Sequence, residues 1–272
     1  MTEAVITSLT NPRVKSAVRL RDRREREETG LTLVDGAREI LRALDSGVEV
    51  ERVFIAPDVV RSADAVAVMD RLVGDRRSSE VSAAVVAKLA FGDRSDGVVA
   101  VIRPRRTTLE DVKLGRNPLL LVVEGVEKPG NLGAVLRSAD AAGADAVIAA
   151  EPRTDVWNPN AIRASLGTIF AVPVVAASAV DTRAWLMARD VRVVTTVVDA
   201  PTTYTEADLR GPLAIVVGSE AEGLTSSWRG EGLAPISIPM HGIADSLNVS
   251  IAAAVVLFEA LRQRTVTLDR GD

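Results

Sequence analysis

The 272-residue chain contains no cysteine and a single histidine, His241. Without thiols there is no disulfide, no thiolate nucleophile and no cysteine-held zinc or iron–sulfur cluster. One imidazole cannot build a multi-histidine metal site, so no metal is expected, and His241 reads as loop surface rather than as a catalyst. No apolar run reaches the roughly 20 residues needed to span a bilayer. The N-terminal Met-Thr-Glu-Ala-Val-Ile lacks a basic region leading into an apolar stretch, so no membrane association is expected and a cytoplasmic location is the default. Lysine is also rare: only Lys15, Lys88, Lys113 and Lys128 occur among 33 basic residues, so arginine is the dominant cation. The formal charge of −4 argues against uniform coating by nucleic acid but leaves room for a local basic patch. Any catalysis must therefore work through arginine, serine, asparagine, carboxylates and backbone groups.

Against these absences stand two halves of different character. Residues 11–26 carry seven basic side chains against two acidic ones, and Val14, Ala17, Val18 and Leu20 supply a helical apolar stripe. That leaves Arg13, Lys15, Arg19, Arg21, Arg23 and Arg24 exposed, as a solvated face or as phosphate contacts. Strands are predicted at 31–35, 50–55 and 97–102, and helices at 36–44, 63–73 and 82–90, giving a small α/β domain over 1–105. Residues 106–117, polar, charged and ending at Pro118, read as a linker. From 118 to 265 short apolar strands (119–124, 146–150, 191–198, 213–218, 236–239) alternate with helices (131–142, 181–189, 247–262), which predicts a parallel sheet covered on both faces. Residues 266–272 read as a tail. In open sheets of this kind ligands sit outside the carboxyl ends of the strands.

Three segments place polar residues beside glycines where strands end: Asn131-Leu-Gly-Ala-Val-Leu-Arg137-Ser-Ala139, Gly218-Ser-Glu220-Ala-Glu-Gly223, and Ile238-Pro-Met240-His-Gly242-Ile-Ala-Asp-Ser246-Leu-Asn248-Val-Ser250. In the first, glycines let backbone approach a phosphate, or Asn131 simply caps a helix. Arg137 falls in the second turn on a face that otherwise takes Ala or Leu, where it needs an anionic partner or pairs with Asp140. In the second, Gly218 permits close approach of a flat ligand, while Glu220 is equally readable as a helix N-terminal acid. In the third, Ser246 and Asn248 stand at N-cap positions before an almost wholly apolar helix, and the loop is dense in backbone donors suited to a small polar molecule.

Taken together and in this order, the three segments resemble the SpoU (TrmH-like) RNA 2′-O-methyltransferases. The segment Arg163-Ala-Ser165-Leu-Gly167 resembles the family's RNA-side motif, and the N-terminal half looks like a substrate-binding domain with a ribosomal-protein-like α/β fold. The resemblance implies a parallel-sheet α/β domain with a deep C-terminal trefoil knot, an obligate homodimer, and S-adenosylmethionine (AdoMet) as methyl donor. It implies Arg137 as the catalytic arginine, with Asn131, Glu220, Ser246 and Asn248 around it. The cofactor would lie against Thr196, Gly218, Glu220, Ile238, Met240, Leu247 and Asn248. RNA would be met by the basic run together with Arg163 and Ser165.

The implied reaction transfers methyl to a ribose 2′-hydroxyl in RNA, with 23S ribosomal RNA favoured over transfer RNA by the appended domain, and resistance to a ribosome-targeting antibiotic as one consequence. Absence of cysteine disfavours methylation at pyrimidine C5 but not at a base nitrogen. A non-catalytic RNA-binding protein using the basic run is the alternative of another class.

Overall fold

In the computed structural model, which describes residues 4–72, 74–91, 95–219 and 222–268, the chain divides into two units: Met1–Arg105 with Trp157–Ala171, and Arg106–Val156 with Val172–Asp272.

The first unit begins with two helices where the basic run suggested one. In α1 (Pro12–Arg19) proline fills the first turn and the Asn11 side chain accepts a hydrogen bond from Arg13 N at 2.9 Å. The helix stops because Asp22 caps a second one, α2 (Arg23–Thr29), accepting from Arg24 N at 2.8 Å; Gly30 closes it at φ 68°. Then follow β1 (Thr32–Asp35), α3 (Ala37–Asp45), β2 (Glu49–Ile55), α4 (Ala63–Leu72), β3 (Ser78–Glu80), α5 (Ala83–Leu89) and β4 (Val98–Arg103). The sheet order is β1-β4-β2-β3, antiparallel except between β2 and β3. Val14, Ala17, Leu20, Leu33, Phe54 and Leu89 share one buried cluster, so the basic run does present its apolar stripe to a core.

In the second unit the residues read as a linker pack instead. Thr107 bridges Val175, and Leu109 and Val112 are buried in the core beside Leu120, Ile148 and Trp185. Two apolar side chains three residues apart were enough to dock a segment whose other residues are polar. The chain continues through β5 (Leu119–Glu124), α6 (Pro129–Ala141) and β6 (Ala146–Ala150). It then gives up residues 157–171, with α7 (Pro159–Ala164), to the first unit before returning as β7 (Val174–Ala177), α8 (Ala179–Met187), β8 (Arg192–Thr196), β9 (Thr202–Thr203), β10 (Leu213–Val217), β11 (Leu233–Ser237) and α9 (Val249–Leu268). The seven strands stand in the order β7-β6-β5-β10-β8-β11-β9, every pair parallel. Strands β5, β6 and β10 are buried at every position, as expected for a sheet covered on both faces.

Helix α6 turns Leu132, Val135, Leu136 and Ala139 inward. Each fully buried leucine here contributes about 1.5–3 kcal/mol relative to exposure. Arg264 fastens the far end of α9, donating to the carbonyls of Asn117 (3.0 Å), Pro118 (2.9 Å) and Gly211; burial pushes its guanidinium below its ordinary value, with Asp145 opposing. Among the described residues, no helix is long and apolar enough to cross a membrane.

Candidate active site

The carboxyl ends of β8, β10 and β11 open onto a cavity of about 440 Å³. Strand β8 and the turn after it contribute Thr196, Val197 and Val198; β10 and its following loop contribute Val217, Gly218, Ser219 and Gly223. The segment after β11 contributes Ile238, Met240, Asp245, Ser246 and Leu247, and the start of α9 adds Val249 and Ala252. The second and third sequence motifs, separated along the chain by residues 224–237, therefore meet in one place.

Each wall has a local cause. Gly218 is required by sterics: a Cβ there would lie 2.7 Å from Leu224 N and closer still to the backbone of Gly223. The loop folds back so tightly because Ser219 and Gly223 exchange two backbone hydrogen bonds (3.2 and 3.1 Å), with Gly223 at φ 64°. Thr196 donates from Oγ1 to Val216 O at 3.2 Å, tying β8 to β10 at the rim. The third wall is polar in a different way. Among the described residues, the backbone of 240–247 makes no hydrogen bond, and four of those residues line the cavity. Unused backbone donors and acceptors beside apolar side chains are what an adenosine-sized ligand needs for its polar edge and its flat faces, and the volume lies in the range of small-molecule sites.

Asn248 joins this wall to the first motif. Its Oδ1 accepts from Ser250 N (3.0 Å) and Oγ (2.6 Å), the capping role expected, while its Nδ2 donates to Asn131 Oδ1 at 3.3 Å. Asn131 is not itself a cap, because Lys128 takes that place and Pro129 begins the helix. Asn131 stands in the first turn, facing Asn248.

Arg137 departs from its sequence reading. It is exposed in the third turn of α6, its side chain makes no hydrogen bond or ion pair among the described residues, and it does not line the cavity. The helix buries 132, 135, 136 and 139, which leaves position 137 off the buried stripe, and Asp140 does not hold it. Glu220 lies outside the described residues. His241 is exposed in the loop and does not line the cavity.

The expected RNA contacts are scattered and mostly engaged. Arg19 pairs with Glu25 (3.1 Å), Arg23 with Glu27 (2.7 Å) and Arg24 with Glu28 (2.7 Å), so the glutamates that follow the run neutralise much of it. Such exposed pairs are worth only about 0.2–1 kcal/mol, and phosphate can displace them. Arg21 is committed further, donating to Lys88 O and Ala90 O with its guanidinium 4.9 Å above the Phe91 ring. Lys15 is exposed on α1, and Arg13 is half-buried. Arg163 and Ser165 belong to the first unit, not to the cavity. Arg163 pairs at 2.7 Å with the buried carboxylate of Asp35, which burial raises against the lowering by the Phe91 N–H and Arg163 itself. Ser165 is completely buried, donating to Ile162 O (2.6 Å) and accepting from Gly167 N (3.1 Å), so it cannot touch RNA. A hydroxyl in an Ala-Ser-Leu-Gly turn has its own backbone to satisfy, and that competing use decided the outcome.

Sequence reasoning passed over Ser219, Asp245, Val197 and Val198, which line the cavity beside residues it did select. Ser219 and Asp245 lie inside the quoted motifs, and the only signal for Val197 and Val198 was their place directly after Thr196. Among the described residues, no group of three His, Asp or Glu side chains could hold a metal ion.

Comparison with known proteins supplies the family. The model of the SpoU rRNA methylase family matches residues 118–258, which contain all three motifs and the whole cavity lining. The chain belongs to the SpoU rRNA methylase family. A model of the MRM3-like substrate-binding domain matches residues 11–100. The 23S rRNA (guanosine-2′-O-)-methyltransferase RlmB of Ralstonia nicotianae is 42% identical over 183 residues, 65% of this chain and 74% of the relative. Among solved structures, an AdoMet-bound rRNA methyltransferase from Sinorhizobium meliloti aligns with a TM-score of 0.85 at 32% identity, covering 95% of this chain and 97% of that one. The SpoU methyltransferase AviRb from Streptomyces viridochromogenes, in complex with AdoMet, aligns at 0.83 and 29% identity, covering 94% and 98%.

Proposed function

We propose that this SpoU family member transfers a methyl group from AdoMet to a ribose 2′-hydroxyl of 23S rRNA. The observation that carries the reading is the single cavity at the strand ends, where Gly218, Ile238, Met240, Ser246 and Leu247 converge and Asn248 reaches across to Asn131. AdoMet, when bound there, supplies an electrophilic methyl on a sulfonium.

The chain's own residues do the rest. Val197, Val217, Ile238, Leu247 and Val249 exclude water from the reacting centre, and the unused backbone of 240–247 together with Thr196 fixes the ligand's polar edge. The Asn131–Asn248 contact keeps the first turn of α6 in register with that wall. Arg137 serves as a cation and not as a free base. It binds the phosphate next to the target ribose and stabilises charge growing on the 2′-oxygen, with that phosphate helping to accept the proton. Ser246 and Glu220 complete the polar surroundings in this scheme, the latter on sequence grounds.

A deep C-terminal trefoil knot and a homodimer complete the proposal. Two large apolar side chains of α9, Ile251 and Phe258, stand exposed seven residues apart, on one helical face. A second copy covering that face would hide them, and an exposed Arg137 outside its own cavity lining suits a site finished by a partner. Antibiotic resistance would follow only if the methylated nucleotide lies in a drug site.

The test is methyl transfer from labelled AdoMet into 23S rRNA, followed by nucleoside analysis. The expected product is a 2′-O-methyl nucleoside, and Arg137→Ala should lower turnover about 10²–10³-fold while AdoMet affinity stays near wild type. Label on a base, none at all, or undiminished turnover in the variant would refute the assignment.

A further inference from the structure

Both walls of the cavity are fastened to the short connection between β5 and α6, residues 125–128, or to the residues that flank it, Glu124 and Asn131. On the inside, Glu124 at the end of β5 is 2% exposed, and its carboxylate accepts from Thr225 N (2.8 Å) and Thr225 Oγ1 (2.7 Å). A carboxylate buried this deeply is costly unless hydrogen-bonded, so the contact is strongly directional. On the outside, Arg153 reaches Glu127 at 2.6 Å with one guanidinium nitrogen and Glu222 with another. The backbone N–H groups of Arg153 and Thr154 both donate to Val126 O, at 3.0 and 3.2 Å, so Arg153 rides on the same connection.

The loop held by these two clasps, residues 218–225, is the one that puts Gly218, Ser219 and Gly223 on the cavity wall. Neither Glu124, Arg153 nor Thr225 lines that cavity. Downstream of the same connection, Asn131 meets Asn248 of the opposite wall. We propose that Glu124 and Arg153 are positioning residues that set the 218–225 loop for AdoMet and tie it to the base of the helix bearing Arg137. The inference rests on the methyltransferase reading above. It identifies residues that govern cofactor affinity without touching cofactor, the buried clasp through Thr225 and the surface clasp through Glu222.

The test is calorimetric titration of the full-length protein with AdoMet, without RNA, beside thermal melting of the same samples. Thr225→Val removes the hydroxyl donor and should weaken binding about tenfold, and Thr225→Ser should restore it to within about twofold. Arg153→Ala, on the surface and safe for folding, should weaken binding up to about fivefold. That deficit should shrink at about 0.5 M salt, because an exposed ion pair is screened, whereas the Thr225→Val deficit should persist. Wild-type affinity in both Thr225→Val and Arg153→Ala overturns this inference alone. So does a Thr225→Ser variant as weak as Thr225→Val, since the hydroxyl would then be irrelevant. A wild-type protein that gives no binding heat overturns the methyltransferase reading and takes this inference with it.

Discussion

Replacing Gly218 with alanine probes the tightest contact in the cavity wall. The added Cβ would lie 2.5 Å from Gly223 O and closer still to its carbonyl carbon, where ordinary contact starts at 3.4 Å, so the two sides of the loop must part by at least 0.9 Å. The Ser219–Gly223 backbone bonds are already 3.2 and 3.1 Å long, and the same displacement takes both beyond hydrogen-bonding range. Losing two such bonds costs about 1–3 kcal/mol, the same order as overpacking a core site. Because Gly218, Ser219 and Gly223 line the cavity, that cost should appear as AdoMet binding weakened roughly ten- to a hundredfold. Calorimetry measures it, and Gly223→Ala is the control. That residue has φ 64° but nothing within 4 Å of its Cβ, so alanine there should add about 1–2 kcal/mol of backbone strain without prying the wall open. The control should melt lower yet bind better than Gly218→Ala. Undiminished AdoMet affinity in Gly218→Ala, or a larger loss in Gly223→Ala, would refute the steric argument.

Other consequences can be checked in the same preparations. Glu39 is 6% exposed and burial raises its carboxyl, so the folded form holds that proton more tightly than the unfolded chain; the stability it contributes is full below the ordinary value of 4.5 and is lost as pH rises through the raised one. Glu39→Gln should therefore melt above wild type at pH 7, with the gap closing below pH 4.5, as read by thermal scans across pH. Ser165→Ala should lower stability by about 0.5–1.5 kcal/mol and leave RNA affinity unchanged in filter binding, in keeping with a buried serine that serves its own turn. Leu136→Ala, in the buried stripe of α6, should cost about 2–5 kcal/mol in denaturant unfolding. The pair Ile251→Glu and Phe258→Glu should convert a dimer to monomers in sedimentation, and a wild-type protein that sediments as a monomer would remove the reason for expecting one.

Much of the second unit was legible because buried parallel strands announce themselves as unbroken apolar runs. Strands 119–124 and 146–150 were read to the residue, and all three motifs fell at strand ends where the sheet's ligand site had to be. Strand β11 was read three residues late, since Ala234 and Pro235 are exposed and break the apolar pattern. The strands β3, β7 and β9 were missed: Ser78-Ser-Glu80 and Thr202-Thr203 have no apolar side chain to betray them, and in the four-residue Val174-Val-Ala-Ala177 only the two valines are buried. Side-chain commitments were the least readable. No pattern could say that Arg21 would turn to the carbonyls of Lys88 and Ala90, or that Arg163 would pair with Asp35, because both partners lie more than sixty residues away. Arg137 was misplaced for a simpler reason. A helix buries only part of its circumference, and the residue types around 137 did not say which part.

The first unit is closed by a segment made much later in the chain: Thr32 donates to Trp157 O, Arg42 to Leu166 O, and Arg163 meets Asp35. During synthesis, then, the opening 105 residues leave the ribosome with those partners still unmade. Translation at about 5–20 residues per second imposes a wait of roughly 3–13 s between residue 105 and residue 171. Over that interval the Asp35 carboxylate and the surface destined for α7 stay open to water. A nascent chain halted near residue 110 should therefore be markedly easier to digest than one halted past residue 200.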